Sequence, residues 1–340
     1  MTSRLTNMTS GTELREPFLL LPAGKDYLWG GTRLRDDFPK NLPQDPLAET
    51  WECSTHPDGI STVGSGPFRG MLLTEVLRAH PEYLGTHPEA TGELPILVKL
   101  IDARKDLSVQ VHPDDAYARD RENGARGKNE MWYVLDAARD AQLVYGFHHD
   151  MDRETLRRSL LSGTVEKYLQ KVPVKKNDVF YIPAGQVHAI GAGVLVAEVQ
   201  QSSNLTYRLY DYGRLDKNGQ PRPLHIRQAL DVANLKSSAA PRQPLRVLRF
   251  THGMASELLC RCAYFQVERV LLNTERTRDM GSMRAGSNSF QVLLCTDGCG
   301  VLSWSQGESL CFFKGDCIFV PADSTEIKLH GQAQFLRVSC

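Results

Sequence analysis

Three stretches of this sequence carry side chains able to hold a metal ion. In Ser108-Val109-Gln110-Val111-His112-Pro113-Asp114-Asp115, strand alternation places Gln110 and His112 on one face. Gly127-Lys128-Asn129-Glu130-Met131-Trp132-Tyr133 sets Glu130 at the mouth of a following strand, and Asp178 opens an apolar run ending at Pro183-Ala184-Gly185-Gln186-Val187-His188. Any one histidine is more often a structural residue. Taken together, two imidazoles and a carboxylate on rigid elements, with one or two positions left open for substrate, form the donor set of a catalytic divalent-metal site. The same donors suit a non-haem iron oxygenase, so the set alone does not fix the metal.

The elements that must position these residues read as short strands. Ile96 to Ile101, Ser108 to Val111, Met131 to Leu135, Leu143 to Phe147, Val179 to Ile182, Val194 to Val199 and Thr206 to Tyr210 are β-branched or aromatic runs, separated by Gly, Pro and Asp turns. Helical spacing is expected over 71–85, stopping at Gly85, and over a helical insertion at about 150–172 that Asp152 caps. Leu224 to Asn234 reads as a closing helix and Ala239 to Pro244 as a linker. Within the chain, Asp178-Val179-Phe180-Tyr181-Ile182-Pro183-Ala184 recurs as Asp316-Cys317-Ile318-Phe319-Val320-Pro321-Ala322. Each copy is a strand stopped by a proline that cannot donate a ladder hydrogen bond. The first copy continues to His188 and the second to Glu326. The expectation is therefore a mainly β protein of two related barrels: a metal-binding domain over 1–240, and a degenerate barrel without metal ligands over 245–340.

The Gln-x-His pair, the later glutamate and the Pro-x-Gly-x-x-His turn resemble the two metal motifs of the cupin superfamily, whose fold is a double-stranded β-helix or jelly roll. With Trp29-Gly30-Gly31, Glu49-Thr50-Trp51, Thr206-Tyr207-Arg208 and Leu224-His225 added, the chain resembles type I mannose-6-phosphate isomerases, closest to their short bacterial and archaeal branch. That resemblance implies one zinc ion per chain on His112, Glu130 and His188, with Gln110 matching a fourth ligand of longer members. It implies a catalytic role for Arg208, and places Lys128 and Lys99 in the sugar-phosphate pocket. A solvated lysine and a barrel-rim salt bridge are the competing readings of those two residues. The implied reaction interconverts mannose 6-phosphate and fructose 6-phosphate through a cis-enediolate, and a sugar-binding cupin without turnover is the alternative from another class. Glu49 and His56 are candidate proton carriers by position alone. The sequence departs from the family pattern at Ala48, Asn129, Gln186 and Asn204.

Composition excludes other partners. Lys plus Arg and Asp plus Glu number 40 each, so no overall field attracts nucleic acid or an anionic membrane, and an anionic substrate needs a local basic cluster. The first apolar run, Phe18 to Leu21, is cut by Pro22, too short for a secretory or membrane segment. A cytoplasmic monomer or homodimer acting on a small sugar phosphate is expected. The eight cysteines, seven of them beyond residue 250 and none in a CxxC, read as buried thiols.

Overall fold

The computed structural model describes residues 15–87, 89, 92–216, 218–239, 241–275, 279–305 and 307–340. Strands Ile96–Ala103 and Val194–Gln201 are buried at every position, as near-continuous apolar runs predict for strands covered on both faces. They pair antiparallel with Lys99 opposite Glu198. Around them runs a six-stranded sheet in the order Val179–Ile182, Glu130–Ala137, Val194–Gln201, Ile96–Ala103, Glu49–Cys53, Ala23–Lys25. A second, five-stranded sheet has the order Tyr207–Tyr210, Val109–Val111, His188–Ile190, Gln142–Phe147, Leu169–Pro173.

Alternation along Glu130–Ala137 explains how the layers stack. Trp132 and Val134 pack with Phe180, and with Leu143, Val172 and Ile190 of the five-stranded sheet. The intervening Met131, Tyr133 and Leu135 face the other way, into a core shared with Leu259, Phe265 and Val267 of the C-terminal sheet. The outer face of the five-stranded sheet, including Val109, Val111 and Ala189, is covered by Leu156 and Leu160 of helix Arg153–Leu161 and by Leu230 of helix Ile226–Val232. Asp152 caps the first of these helices, accepting from the Thr155 amide at 2.8 Å.

The repeated motif is structural as well as textual. Asn177 and Gly315 both take positive φ, at 73° and 97°, where a short amide or a glycine is tolerated. The aspartate that follows each then accepts a backbone amide, from Lys175 to Asp178 at 3.0 Å and from Phe313 to Asp316 at 2.8 Å. Ile182 lies opposite Glu130, and Val320 opposite Gln291. The second copy thus has an amide where the first has its carboxylate. Glu326, at the position matching His188, is exposed and bonded to Lys328 at 2.7 Å and Ser282 at 2.6 Å.

Two sequence expectations change, at the end of the helical insertion and at two cysteines. The segment expected to be helical to residue 172 ends in a 3-10 turn, Val165–Tyr168, followed by strand Leu169–Pro173, in which Leu169 and Val172 face the core. Strand Phe18–Leu21 joins the C-terminal sheet beside Cys317–Val320, with Phe18 stacked on Phe319 at 5.3 Å between centroids. All eight cysteines are free, but Cys299 and Cys311 are exposed rather than buried, on the outer side of a hairpin. The helix expected over 71–85 is α-helix Leu73–Ala79 and 3-10 turn Pro81–Leu84, closed by Gly85 at φ 86°. No described helix is long and apolar enough to cross a membrane.

Candidate metal centre

Pairing register brings the donors together. Gln110 lies opposite both His188 and Arg208 in the five-stranded sheet, and cross-strand partners share a face. Arg208, Gln110 and His188 therefore form one row. The six-stranded sheet supplies a second row, with Trp51 opposite Lys99, Lys99 opposite Glu198, and Glu198 opposite Trp132. The Trp132 and His188 rings meet edge to face at 5.4 Å, joining the two sheets beside the centre.

His112, Glu130 and His188 are the one group of three or more potential metal donors among the described residues, their ligating atoms all within 4.8 Å of one another. All three are buried. His112 Nδ1 is 2.8 Å from the Leu205 carbonyl and His188 Nδ1 is 2.8 Å from the Gln186 carbonyl. A carbonyl can only accept, so Nδ1 carries the proton in each ring and Nε2 presents its lone pair inward. Those nitrogens lie 3.1 Å and 3.6 Å from the two Glu130 oxygens. Burial, then the Lys128 charge, pushes His112 down to about 3, and burial lowers His188 as well. Burial would raise Glu130, but Lys128 and then His112 outweigh it and hold the carboxyl well below its usual range.

Two neutral imidazole lone pairs thus face an ionised carboxylate whose oxygens make no aligned hydrogen bond among the described residues. Acceptor facing acceptor in a buried site is unfavourable unless a cation lies among them. Lys128 supplies one nearby charge, 2.7 Å from Glu130 Oε1 and 3.4 Å from His112 Nε2. The donor set itself is that of a divalent-metal site. Gln110 Nε2 approaches His188 Nε2 at 3.4 Å, within the same cluster.

Gln110 and Lys128 also line a cavity of about 270 Å³ that Lys99, Glu49, Glu198 and Arg208 complete on the polar side. Lys99 lies 3.1 Å from Glu198 and 3.7 Å from Glu49, and the opposing carboxylates hold it above its ordinary value despite burial. Each glutamate is oriented by an indole N–H, Trp51 to Glu49 and Trp132 to Glu198, both at 2.8 Å. Arg222, also on the wall, pairs with Asp211 at 2.5 Å, a carboxylate it shares with Arg214. Arg208 differs, since its Nε donates to Ser108 Oγ at 3.2 Å and its Nη1 to the Pro223 carbonyl at 2.9 Å. Its charge faces the cavity, and among the described residues no carboxylate is bonded to it. Burial, then Arg222, lowers its affinity for its proton.

The family model described as "Phosphomannose isomerase type I, catalytic domain" matches residues 18–138, and "Mannose-6-phosphate isomerase, cupin domain" matches 256–340. The mannose-6-phosphate isomerase ManA of Bacillus subtilis is 36% identical over 94% of this chain and 97% of its own length. The chain belongs to the type I mannose-6-phosphate isomerase family. The Streptococcus mutans enzyme of that name is 42% identical over 66% of this chain and 70% of its own. The crystal structure of a mannose 6-phosphate isomerase from Bacillus subtilis superposes with a TM-score of 0.87 at 34% identity, covering 95% of this chain and 99% of that one. Membership makes the protein a cupin-fold isomerase, and the reading as a sugar binder without turnover falls away.

His112, Glu130, His188 and Gln110 lie together at this centre, and Lys128, Lys99 and Arg208 line the adjoining cavity. Of the two positional candidates, Glu49 lines the cavity, whereas His56 opens onto a neighbouring depression and its Nδ1 accepts from the Asp58 amide at 3.1 Å. The salt-bridge reading of Lys99 describes its contacts, although the bridge is buried rather than at a rim. Glu198 was missed. Its signal was present, as a single acid inside the apolar run Val194 to Val199.

Proposed function

We propose that this chain interconverts mannose 6-phosphate and fructose 6-phosphate as a zinc enzyme, with His112, Glu130 and His188 as ligands and Gln110 as a fourth. The observation that carries this reading is the Arg208 charge on a cavity whose wall residues Lys128 and Gln110 reach a buried donor set of two imidazoles and a carboxylate. Bound zinc supplies Lewis acidity to a sugar oxygen. Moving the carbonyl between C1 and C2 takes a proton from one carbon and returns it to its neighbour, with a cis-enediolate between. Arg208 stabilises that developing negative charge with a cation that stays protonated at working pH. Trp29 and Ile101 give the cavity wall an apolar side, and a wall of lower polarity strengthens the attraction.

Lys99 and Lys128 take part in binding the phosphorylated sugar, and Glu49 and Glu198 are the carboxylates within the cavity that can carry a proton. The catalytic domain spans 1–240 and lends its first strand to the companion domain, 245–340. The enzyme acts in the cytoplasm as a monomer or homodimer. A coupled assay on mannose 6-phosphate tests the reading. Chelator-stripped protein should be inactive and regain turnover at one equivalent of zinc without consuming oxygen. Full activity after stripping would reject it.

A further inference from the structure

We infer that Tyr264, at a hairpin turn of the C-terminal sheet, is a positioning residue for the metal donors of the other domain, acting through Asp115, Gln201 and Asn129. The inference rests on the proposed zinc site and gives the companion domain a part in it. The turn connects strands Met254–Arg261 and Gln266–Asn273 and is closed by the Cys262 amide on the Phe265 carbonyl at 3.0 Å. Phe265 anchors it in the shared core. Tyr264 is therefore presented from a fixed support.

Its hydroxyl donates to Asp115 Oδ2 at 2.7 Å. Asp115 Oδ1 accepts from the Gly127 amide at 2.8 Å and from Gln201 Nε2 at 3.1 Å. The Gln201 carbonyl oxygen in turn accepts both the backbone N–H of Asn129 at 2.9 Å and its side-chain amide at 2.8 Å. Asn129 Oδ1 completes the chain by accepting from Tyr181 at 3.1 Å and from the Ala184 amide at 3.0 Å.

Each donor has a near neighbour in sequence tied to this network. Asp115 follows His112 by three residues, Asn129 immediately precedes Glu130, and Ala184 lies in the turn leading to His188. Gly127 permits the close approach, because a Cβ there would meet the Asp114 carbonyl carbon at 2.5 Å. Asn129 is also one of the positions where this chain departs from the family pattern. Its amide has two donors and an acceptor, so it reaches partners that a hydroxyl could not satisfy together. Groups that hold metal ligands from behind are worth about 10-fold to 100-fold in metal affinity.

Zinc affinity, measured by competition with a chromophoric chelator on the full chain, tests this directly in wild type, Y264F, N129A and the double variant. Melting of the zinc-free proteins is followed in parallel. Y264F should weaken zinc binding by about 10-fold or more, and N129A by at least as much. The double variant should be no weaker than N129A alone, because Tyr264 acts through the same network. Wild-type zinc affinity in Y264F, even with a lowered melting temperature, would reduce Tyr264 to a structural contact and overturn the inference. Losses that multiply in the double variant would also overturn it. Should N129A fail to fold, the Y264F arm decides alone. Failure of wild type itself to bind zinc would remove the metal reading and this inference with it, an outcome distinct from a defect confined to the variants.

Discussion

Lys99→Met should unfold far more readily than the wild type, and its defect should deepen as pH rises. The ammonium is only 4% exposed and stands between two carboxylates, Glu198 at 3.1 Å and Glu49 at 3.7 Å, themselves 4% and 7% exposed. It also lies 5.0 Å from the centroid of the Trp51 ring. Methionine fills similar space without charge, so the loss is electrostatic. Removing one partner of a buried ion pair costs about 3–5 kcal/mol, because the remaining charge stays desolvated. Here two carboxylates remain.

Glu198 is already raised by burial and by Glu130, with Lys99 opposing the shift. Without the lysine it rises further. A carboxyl whose folded value exceeds its unfolded one contributes stability that is complete below the unfolded value and is lost as pH rises through the folded value. The variant should therefore lie nearest to wild type in acid and furthest from it at neutral pH. Urea midpoints across that interval measure the difference. Adding Glu198→Gln should recover part of the stability while leaving isomerase activity low, since the cavity has then lost both groups. Equal midpoints for Lys99→Met and wild type at neutral pH would refute the argument, as would a double variant no more stable than the single one.

Other outcomes follow from the same geometry. Arg208→Ala should keep its metal and lose about 10² to 10³ in kcat, equivalent to about 2.7–4 kcal/mol of transition-state stabilisation; unchanged steady-state turnover would remove Arg208 from the mechanism. The metal-free protein should lose stability as pH falls from the ordinary imidazole value of 6.5 toward about 3, because the unfolded chain takes up protons that folded His112 refuses. The limiting slope is about 1.4 kcal/mol per pH unit for each such imidazole. Urea titration of chelated protein at stepped pH would read it, and a flat profile would contradict neutral histidines in the folded state.

Much of the centre was legible because it depends on short-range rules. Alternation alone puts Gln110 and His112 on one face, and the repeat ending at Pro183 and Pro321 exposes which copy keeps its ligand. Less legible was whatever depends on the pairing partner. Phe18–Leu21 reads only as a short apolar run, and register with Cys317–Val320 is what makes it a strand of the C-terminal sheet. The strand Leu169–Pro173 carries just two inward residues, too short a pattern to separate from the helical turn before it. Glu198 and Lys99 become a buried pair only when two strands far apart in sequence align. Tyr264 offers no local signal, since its partner Asp115 lies 149 residues away in sequence.

The proposed chemistry requires His112, Glu130 and His188 to share one cation. Plasma mass spectrometry of purified wild type and His188→Ala, with circular dichroism as the check on folding, measures that most directly. The predicted result is one zinc per wild-type chain and a folded His188→Ala protein that has lost both zinc and isomerase turnover. A folded His188→Ala protein retaining stoichiometric zinc and full turnover would contradict it.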